Sequence, residues 1–219
     1  MSVETGSYRV VEHYYRQEQF DFYRQYQCPF YDVTFDLEFA ALKAFARRAD
    51  ASLYLTLCYV FTHAMARTED FLYRHVDGQI VLYDRLNVGM TVPAPGGAFS
   101  FAMVPFDEDW PRFYRRAEAI VERSGQAVSM VSEPWPNSIF FTALPGVPFT
   151  AFRHAPGNDP LGGEPKVAFG KFRQDGESMW IPVGIQVNHA FIDGRALGEL
   201  YEGAQELFQR PEQVLGQAV

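Results

Sequence analysis

The residues best placed for acid–base chemistry stand together in Gln186-Val187-Asn188-His189-Ala190-Phe191-Ile192-Asp193-Gly194-Arg195. One imidazole, His189, is followed four positions later by the carboxylate of Asp193 and then by a glycine. The stretch joins a strand-like apolar run, Trp180 to Val187, to a helix-like run, Arg195 to Gln209. A histidine at the end of a buried strand can stay neutral at working pH, as a general base must. Asp193 has a plainer reading beside the functional one, because an aspartate just before a helix makes a good N-cap.

Other chemistries find less support. The five histidines are His13, His63, His75, His154 and His189, and none stands four positions from another. No HExxH motif occurs and the two cysteines, Cys28 and Cys58, are thirty positions apart, so no metal site is expected. No Walker loop, dinucleotide fingerprint or Gly-x-Ser-x-Gly elbow is present. His63, between Thr62 and Ala64, reads as a satisfied core histidine, whereas His13, His75 and His154 lie near charges or turns and read as solvated.

The elements that must position His189 fit one domain spanning residues 1–219. A hydrophobic content of 47% with 16% aromatics supports a substantial core. A net charge of −8 argues against a nucleic-acid or acidic-membrane surface. Two cysteines make no disulfide framework, and no apolar run reaches about 18 residues. These features lead to an expectation of a soluble, cytoplasmic protein. Aromatics at helical spacing predict a short helix near Tyr14 to Tyr23, and alternation predicts a strand from Phe30 to Leu37. Asp36 is expected to cap a helix from Leu37 to Arg48, and Ser52 a more apolar one to about Ala66. Strands are expected over Gln79–Tyr83, Asn87–Val92 and Ala98–Val104, then a helix from Trp110 to about Arg123. Ser124 to Pro136 and Arg153 to Glu164 read as loops. The last third is read as strands over Ser138–Ala143, Val147–Phe152, Lys166–Arg173 and Met179–Val187, with a hairpin at Gln174-Asp175-Gly176. The expected architecture is α/β with a largely β core.

The 186–194 segment resembles the Q-V-H-H-A-V-C-D-G signature of the classical (type A) chloramphenicol acetyltransferases. Three further anchors follow the family's order. Tyr15-Arg16-Gln17-Glu18-Gln19-Phe20 is similar to W-x-R-K-E-x-F, Asp77-Gly78-Gln79-Ile80-Val81-Leu82-Tyr83-Asp84 to D-G-E-L-V-I-W-D, and Phe149-Thr150-Ala151-Phe152 to F-T-S-F. The resemblance implies an α+β two-layer sandwich, with helices packed on one face of a mixed sheet. It further implies a homotrimer with active sites between subunits, acetyl-CoA or another acyl-CoA as co-substrate, a small-molecule acceptor, and no metal. By the same resemblance His189 matches the catalytic histidine, and Asn188 replaces a preceding histidine that does no chemistry. Asp193 and Arg16 match a structural ion pair, Phe22 and Tyr23 match acceptor-pocket positions, and Lys171 matches a family lysine, here a candidate for coenzyme A.

Two acceptor-pocket positions depart from the pattern. Taken on F-T-S-F, the oxyanion-donor serine falls at Ala151, and the threonine of P-x-x-T-M-x-K falls at Ala168 in Pro165-Lys166-Val167-Ala168-Phe169-Gly170-Lys171. Neither alanine has a side-chain donor. Two readings follow: an acyl-CoA-dependent O-acyltransferase with a reshaped site, or a family member that binds a small molecule or acyl-CoA without efficient turnover.

Overall fold

The computed structural model describes residues 6–130, 135–155 and 159–216. The expectations for residues 1–5 and for the loop stretches 131–134 and 156–158 lie outside them. The strands are β1 (Tyr8–Val10), β2 (Phe30–Glu38), β3 (Tyr73–Val76), β4 (Gln79–Tyr83), β5 (Asn87–Pro93), β6 (Phe99–Val104), β7 (Ser138–Ala143), β8 (Lys166–Phe169), β9 (Arg173–Asp175) and β10 (Ser178–Asn188). The helices are α1 (Gln17–Tyr23), α2 (Ala40–Arg48), α3 (Leu53–Ala66), α4 (Trp110–Ser124), α5 (Gly194–Gln209) and the short α6 (Glu212–Leu215).

The main sheet runs β2-β10-β8-β7-β5-β6, with β9 added beside β10. β7 is parallel to β5 and β8, and the other pairings are antiparallel, so the sheet is mixed. β1, β4 and β3 form a small antiparallel sheet. Side chains alternate along a strand, and Val183, Ile185 and Val187 of β10 are all buried in the core. Against this face pack α3 and α5, with α2 and α4 beside them. Buried residues surround nearly the whole of α3, because it lies beneath its neighbours instead of facing water. Its first turn is closed by Ser52, whose hydroxyl accepts from the Leu55 N–H.

Several sequence expectations give way to tertiary context. Asp36 caps no helix: it sits inside β2 opposite Pro182 and pairs with Arg173 at 2.9 Å. α2 begins only at Ala40, after Phe39. The segment read as a strand over Val147–Phe152 joins no strand ladder among the described residues and lies across the open face, tied to β2 where Phe152 N–H donates to Thr34 Oγ1 at 3.2 Å. The strand expected over Lys166–Arg173 breaks at Gly170, where an added Cβ would come within 2.6 Å of Phe149. Gly184 does the same for Phe152, whose ring takes the space of a side chain. β1 and β3 went unread because each is short.

On the open face one row of residues in register crosses the sheet: Thr34, Gly184, Ala168, Thr142, Thr91 and Phe101. The row carries three hydroxyls, Thr142 and Thr91 side by side and Thr34 at the β2 edge, on an otherwise apolar surface.

His63 and His154 differ from their sequence readings. Each is only partly exposed, and each has a buried Nε2 without a hydrogen-bond partner among the described residues. Burial pushes both pKa values down to about 4, helped by Arg67 at His63 and by Lys166 at His154. Both are therefore neutral in the fold but protonate near 6.5 once unfolded. Their contribution to stability is complete above about pH 6.5 and declines as the pH falls towards 4. Thermal midpoints measured from pH 7.5 to 5 should drop, and His63→Gln should flatten that slope. An unchanged slope would place the acid sensitivity elsewhere.

Candidate active site

His189 follows directly on β10, its N–H donating to the Pro29 carbonyl at 2.8 Å. The chain then turns sharply, with Phe191 and Ile192 N–H both reaching the Asn188 carbonyl. That turn brings the Ile192 carbonyl 3.1 Å from His189 Nδ1. A carbonyl only accepts, so this contact is a hydrogen bond when Nδ1 carries a proton, and in that tautomer of the neutral ring Nε2 holds the lone pair. Tyr23 stacks on the imidazole at 4.1 Å and 16°, and Tyr31 flanks it at 4.6 Å. The Tyr31 hydroxyl also donates to the Ile192 carbonyl at 3.3 Å. The ring is thus fixed in tautomer and plane while it stays partly exposed.

Asn188 points into the protein. Its side-chain N–H₂ donates to the Pro160 and Gly162 carbonyls, both at 3.0 Å, and its Oδ1 accepts from Ala190 N–H at 2.9 Å. The residue that replaces a histidine of the resembled pattern therefore staples two loops together.

Asp193 does both things foreseen for it. Its Oδ1 caps α5 by accepting from Ala196 N–H at 3.0 Å, and its Oδ2 lies 3.4 Å from Arg16 Nη2. Burial alone would raise its pKa, but the Ala196 N–H and Arg16 draw it below the ordinary value. Arg16 is 6% exposed and has more partners than the sequence suggested. Its Nη1 donates to the Phe191 carbonyl at 2.7 Å and lies 3.3 Å from Asp70 Oδ1. Asp70, 4% exposed, also accepts from Arg195 Nη2 at 2.8 Å and from the Tyr15 hydroxyl. Asp70, Arg195 and Tyr15 were missed, because nothing local marks an acid at 70 as the counter-ion of residues 16 and 195.

The other predicted site residues lie apart. Phe22 is exposed and packs edge-on against Tyr23 at 5.1 Å. Ala168 is buried in the central row, whereas Ala151 is exposed and lines none of three clefts on that side. The hydroxyls beside Ala168 come from Thr142 and Thr91, whose oxygens are 3.1 Å apart. Both line a cleft of about 670 Å³ with Leu53, Tyr54 and Phe172, and another of about 500 Å³ with Phe101, Phe140 and His154. A signal for them existed: each threonine takes a polar position in a strand of otherwise apolar alternation. Lys171 lines a third cleft with Thr150 and Phe172, and Lys43 lies over the Phe172 ring at 3.9 Å.

His189 and this hydroxyl pair are not neighbours within one chain. His189 follows Gly184 at roughly 17 Å along β10, from a rise of about 3.3 Å per residue.

A mixed sheet with helices on one face is the two-layer architecture of a family of acyltransferases. The chain belongs to the chloramphenicol acetyltransferase family, whose profile matches residues 8–205, and it is an acetyltransferase of that family. It is 25% identical to the chloramphenicol acetyltransferase of Bacillus pumilus, over 96% of this chain and 97% of that one. With the Clostridium perfringens enzyme the identity is 27%, over 94% and 96%. A solved chloramphenicol acetyltransferase superposes with a TM-score of 0.81 at 24% identity, covering 92% of this chain and all of that one. The fold is also that of the Azotobacter vinelandii dihydrolipoamide acetyltransferase, at a TM-score of 0.64 and 14% identity over 90% and 88%.

Proposed function

We propose that the protein transfers an acetyl group from acetyl-CoA to the hydroxyl of a small molecule, in a site built by two copies of the chain. The separation between His189 and Thr142 carries this reading. Each half is well formed, and only a second copy can bring the imidazole of one chain to the hydroxyl row of another. The family resemblance implies a homotrimer, which would supply three such junctions.

Neutral His189 Nε2 takes the proton of the acceptor hydroxyl as its oxygen attacks the thioester carbonyl. The Ile192 carbonyl holds Nδ1–H, so the imidazolium that forms keeps its plane. The tetrahedral oxyanion receives a hydrogen bond from Thr142, oriented by Thr91. Ala168 beside it leaves room for the reacting carbon. Collapse breaks the carbon–sulfur bond and expels the thiolate of coenzyme A, which recovers the proton from His189. No acyl-enzyme forms. Lys171, Phe172 and Lys43 suit the phosphates and adenine of coenzyme A by charge and stacking. This hydroxyl pair favours turnover over binding alone, since it supplies the donor that Ala151 lacks.

The test is release of free thiol from acetyl-CoA with a panel of alcohols, chloramphenicol included, alongside light scattering. A clean monomer that still turns over would sink the two-copy site. Thr142→Val, which keeps shape and removes the hydroxyl, should slow turnover about a hundredfold with little change in KM. Ala151→Ser should change little, because its side chain lies outside the clefts.

A further inference from the structure

The carbonyl that holds the His189 ring has a second claimant. Ile192 O lies 3.1 Å from His189 Nδ1 and 3.3 Å from the Tyr31 hydroxyl, which donates to it. Tyr31 stands in β2 opposite Val187, and its ring meets the imidazole at 4.6 Å and 44°, beside the Tyr23 stack. Ile192 is 2% exposed, so water competes little for its carbonyl. Burial and Asp193 push the Tyr31 pKa up to about 12, against the opposing charge of Arg16. The hydroxyl therefore stays protonated at any working pH and remains a donor. Acetyl transfer as described above uses the Nδ1 contact and leaves this second donor without a task.

Two donors on one carbonyl weaken each other, because each draws on electron density that the other needs. The effect falls unequally on the two states of His189. In the neutral ring Nδ1–H is an ordinary donor. Once Nε2 takes a proton, Nδ1–H becomes charge-assisted and depends more on the carbonyl. A hydroxyl on the same oxygen therefore disfavours the imidazolium more than the neutral ring. The charges nearby leave room for so small an influence. Arg16 and Asp193 pair at 3.4 Å behind the turn, with Arg16 also donating to the Phe191 carbonyl, so their opposite signs offset at the ring. The other titratable groups on this side are Tyr23, with Tyr26 packed against it, and the exposed Cys28, next to the Pro29 whose carbonyl takes the His189 N–H.

We propose that Tyr31 is a positioning residue for His189, its hydroxyl sharing the Ile192 carbonyl with Nδ1–H so that the imidazolium is held less firmly and the base returns readily to its neutral form. The proposal rests on the reading of His189 as general base for its consequence in turnover, whereas the coupling of hydroxyl to imidazole is measured without turnover. Two changes at position 31 act in opposite senses. Tyr31→Phe removes the second donor and keeps the ring. 3-Fluorotyrosine at position 31 keeps the shape nearly unchanged and donates more strongly. Both proteins and the wild type are titrated from about pH 5 to 8.5 by NMR of isotope-labelled histidine Cε1, with His189→Ala assigning the resonance. The kcat and KM for thiol release from acetyl-CoA are measured over the same range.

In Tyr31→Phe the His189 midpoint and the acid limb of kcat should both move up by roughly half a pH unit, about a threefold change in proton affinity and part of what one neutral hydrogen bond supplies. With 3-fluorotyrosine both should move down by a smaller amount. KM and the kcat plateau above the limb should stay within about threefold of the wild type, since neither change removes the base. Midpoints that move in neither protein overturn the proposal. Shifts of the same sign in both overturn it as well, marking the phenol as packing alone, and so does a fall in kcat with no movement of the limb. If the wild type releases no thiol while the NMR midpoints move in opposite senses, the general-base reading fails and the coupling of Tyr31 to His189 stands.

Discussion

Replacing His189 with alanine is expected to lower acetyl transfer by roughly 10²–10⁴-fold, the range a positioned general base contributes. The loss should fall on kcat, since Tyr23 and Tyr31 remain to shape their side of the site. His189→Gln can keep a hydrogen bond to the Ile192 carbonyl yet offers no base, so it should be nearly as slow. Thiol release that survives in both variants would remove His189 from the mechanism. A mixing experiment adds a test of architecture. Chains carrying His189→Ala and chains carrying Thr142→Val are each impaired, but co-assembled oligomers contain junctions where an intact His189 meets an intact Thr142. Activity should reappear on mixing. If both groups acted within one chain, none would.

The second large effect concerns stability. Asp70→Asn should destabilise the protein by up to roughly 3–5 kcal/mol, the cost of taking one partner from a buried ion pair. Arg16 is the charge at issue, because it is nearly enclosed and its other partner, Asp193, is 34% exposed. Burial works against the Arg16 charge, and Asp193 and Tyr14 more than offset it, holding the guanidinium above its ordinary pKa. Arg195 is half exposed and also pairs with Glu199, so water softens its share of the loss. Urea denaturation of Asp70→Asn, Arg16→Met and the double variant would measure the coupling. Independent, additive losses would mean that the 16–70 contact is geometric only. A shift of less than about 1 kcal/mol in Asp70→Asn would mark the pair as screened by solvent.

How far the sequence could be read depends on whether the information was local. α3 was legible from its Ser52 cap and apolar stripe, and β10 from its apolar run leading into His189. Asp193 was legible as both cap and counter-ion, and the ordered anchors tied it to Arg16. Asp36 misled because its role is set by Pro182 and Arg173 across the sheet, and local cap chemistry carries no trace of them. The 147–152 segment has the alternation of a strand, but its phenyl rings fill the places left by Gly170 and Gly184. Thr142 was overlooked because the resembled pattern places the donor at Ala151, nine residues further along the chain. His154 looked solvated by its neighbours in sequence, and only the fold lays it against Phe152 and a largely apolar cleft.

The ion cluster of Arg16, Asp70, Asp193 and Arg195 has a kinetic side. Two of its links, Arg16–Asp193 and Asp70–Arg195, join positions more than 120 residues apart, while Arg16–Asp70 spans 54, and each of those loops must close before the charges meet. Contacts of such long range form late in folding. During synthesis the turn that aims His189 gains its Arg16 support only after residue 193 has left the ribosome. A shortened nascent chain would carry the hydroxyl row but lack its base. On refolding, catalytic competence should return with the slowest phase, after most helical structure has already formed.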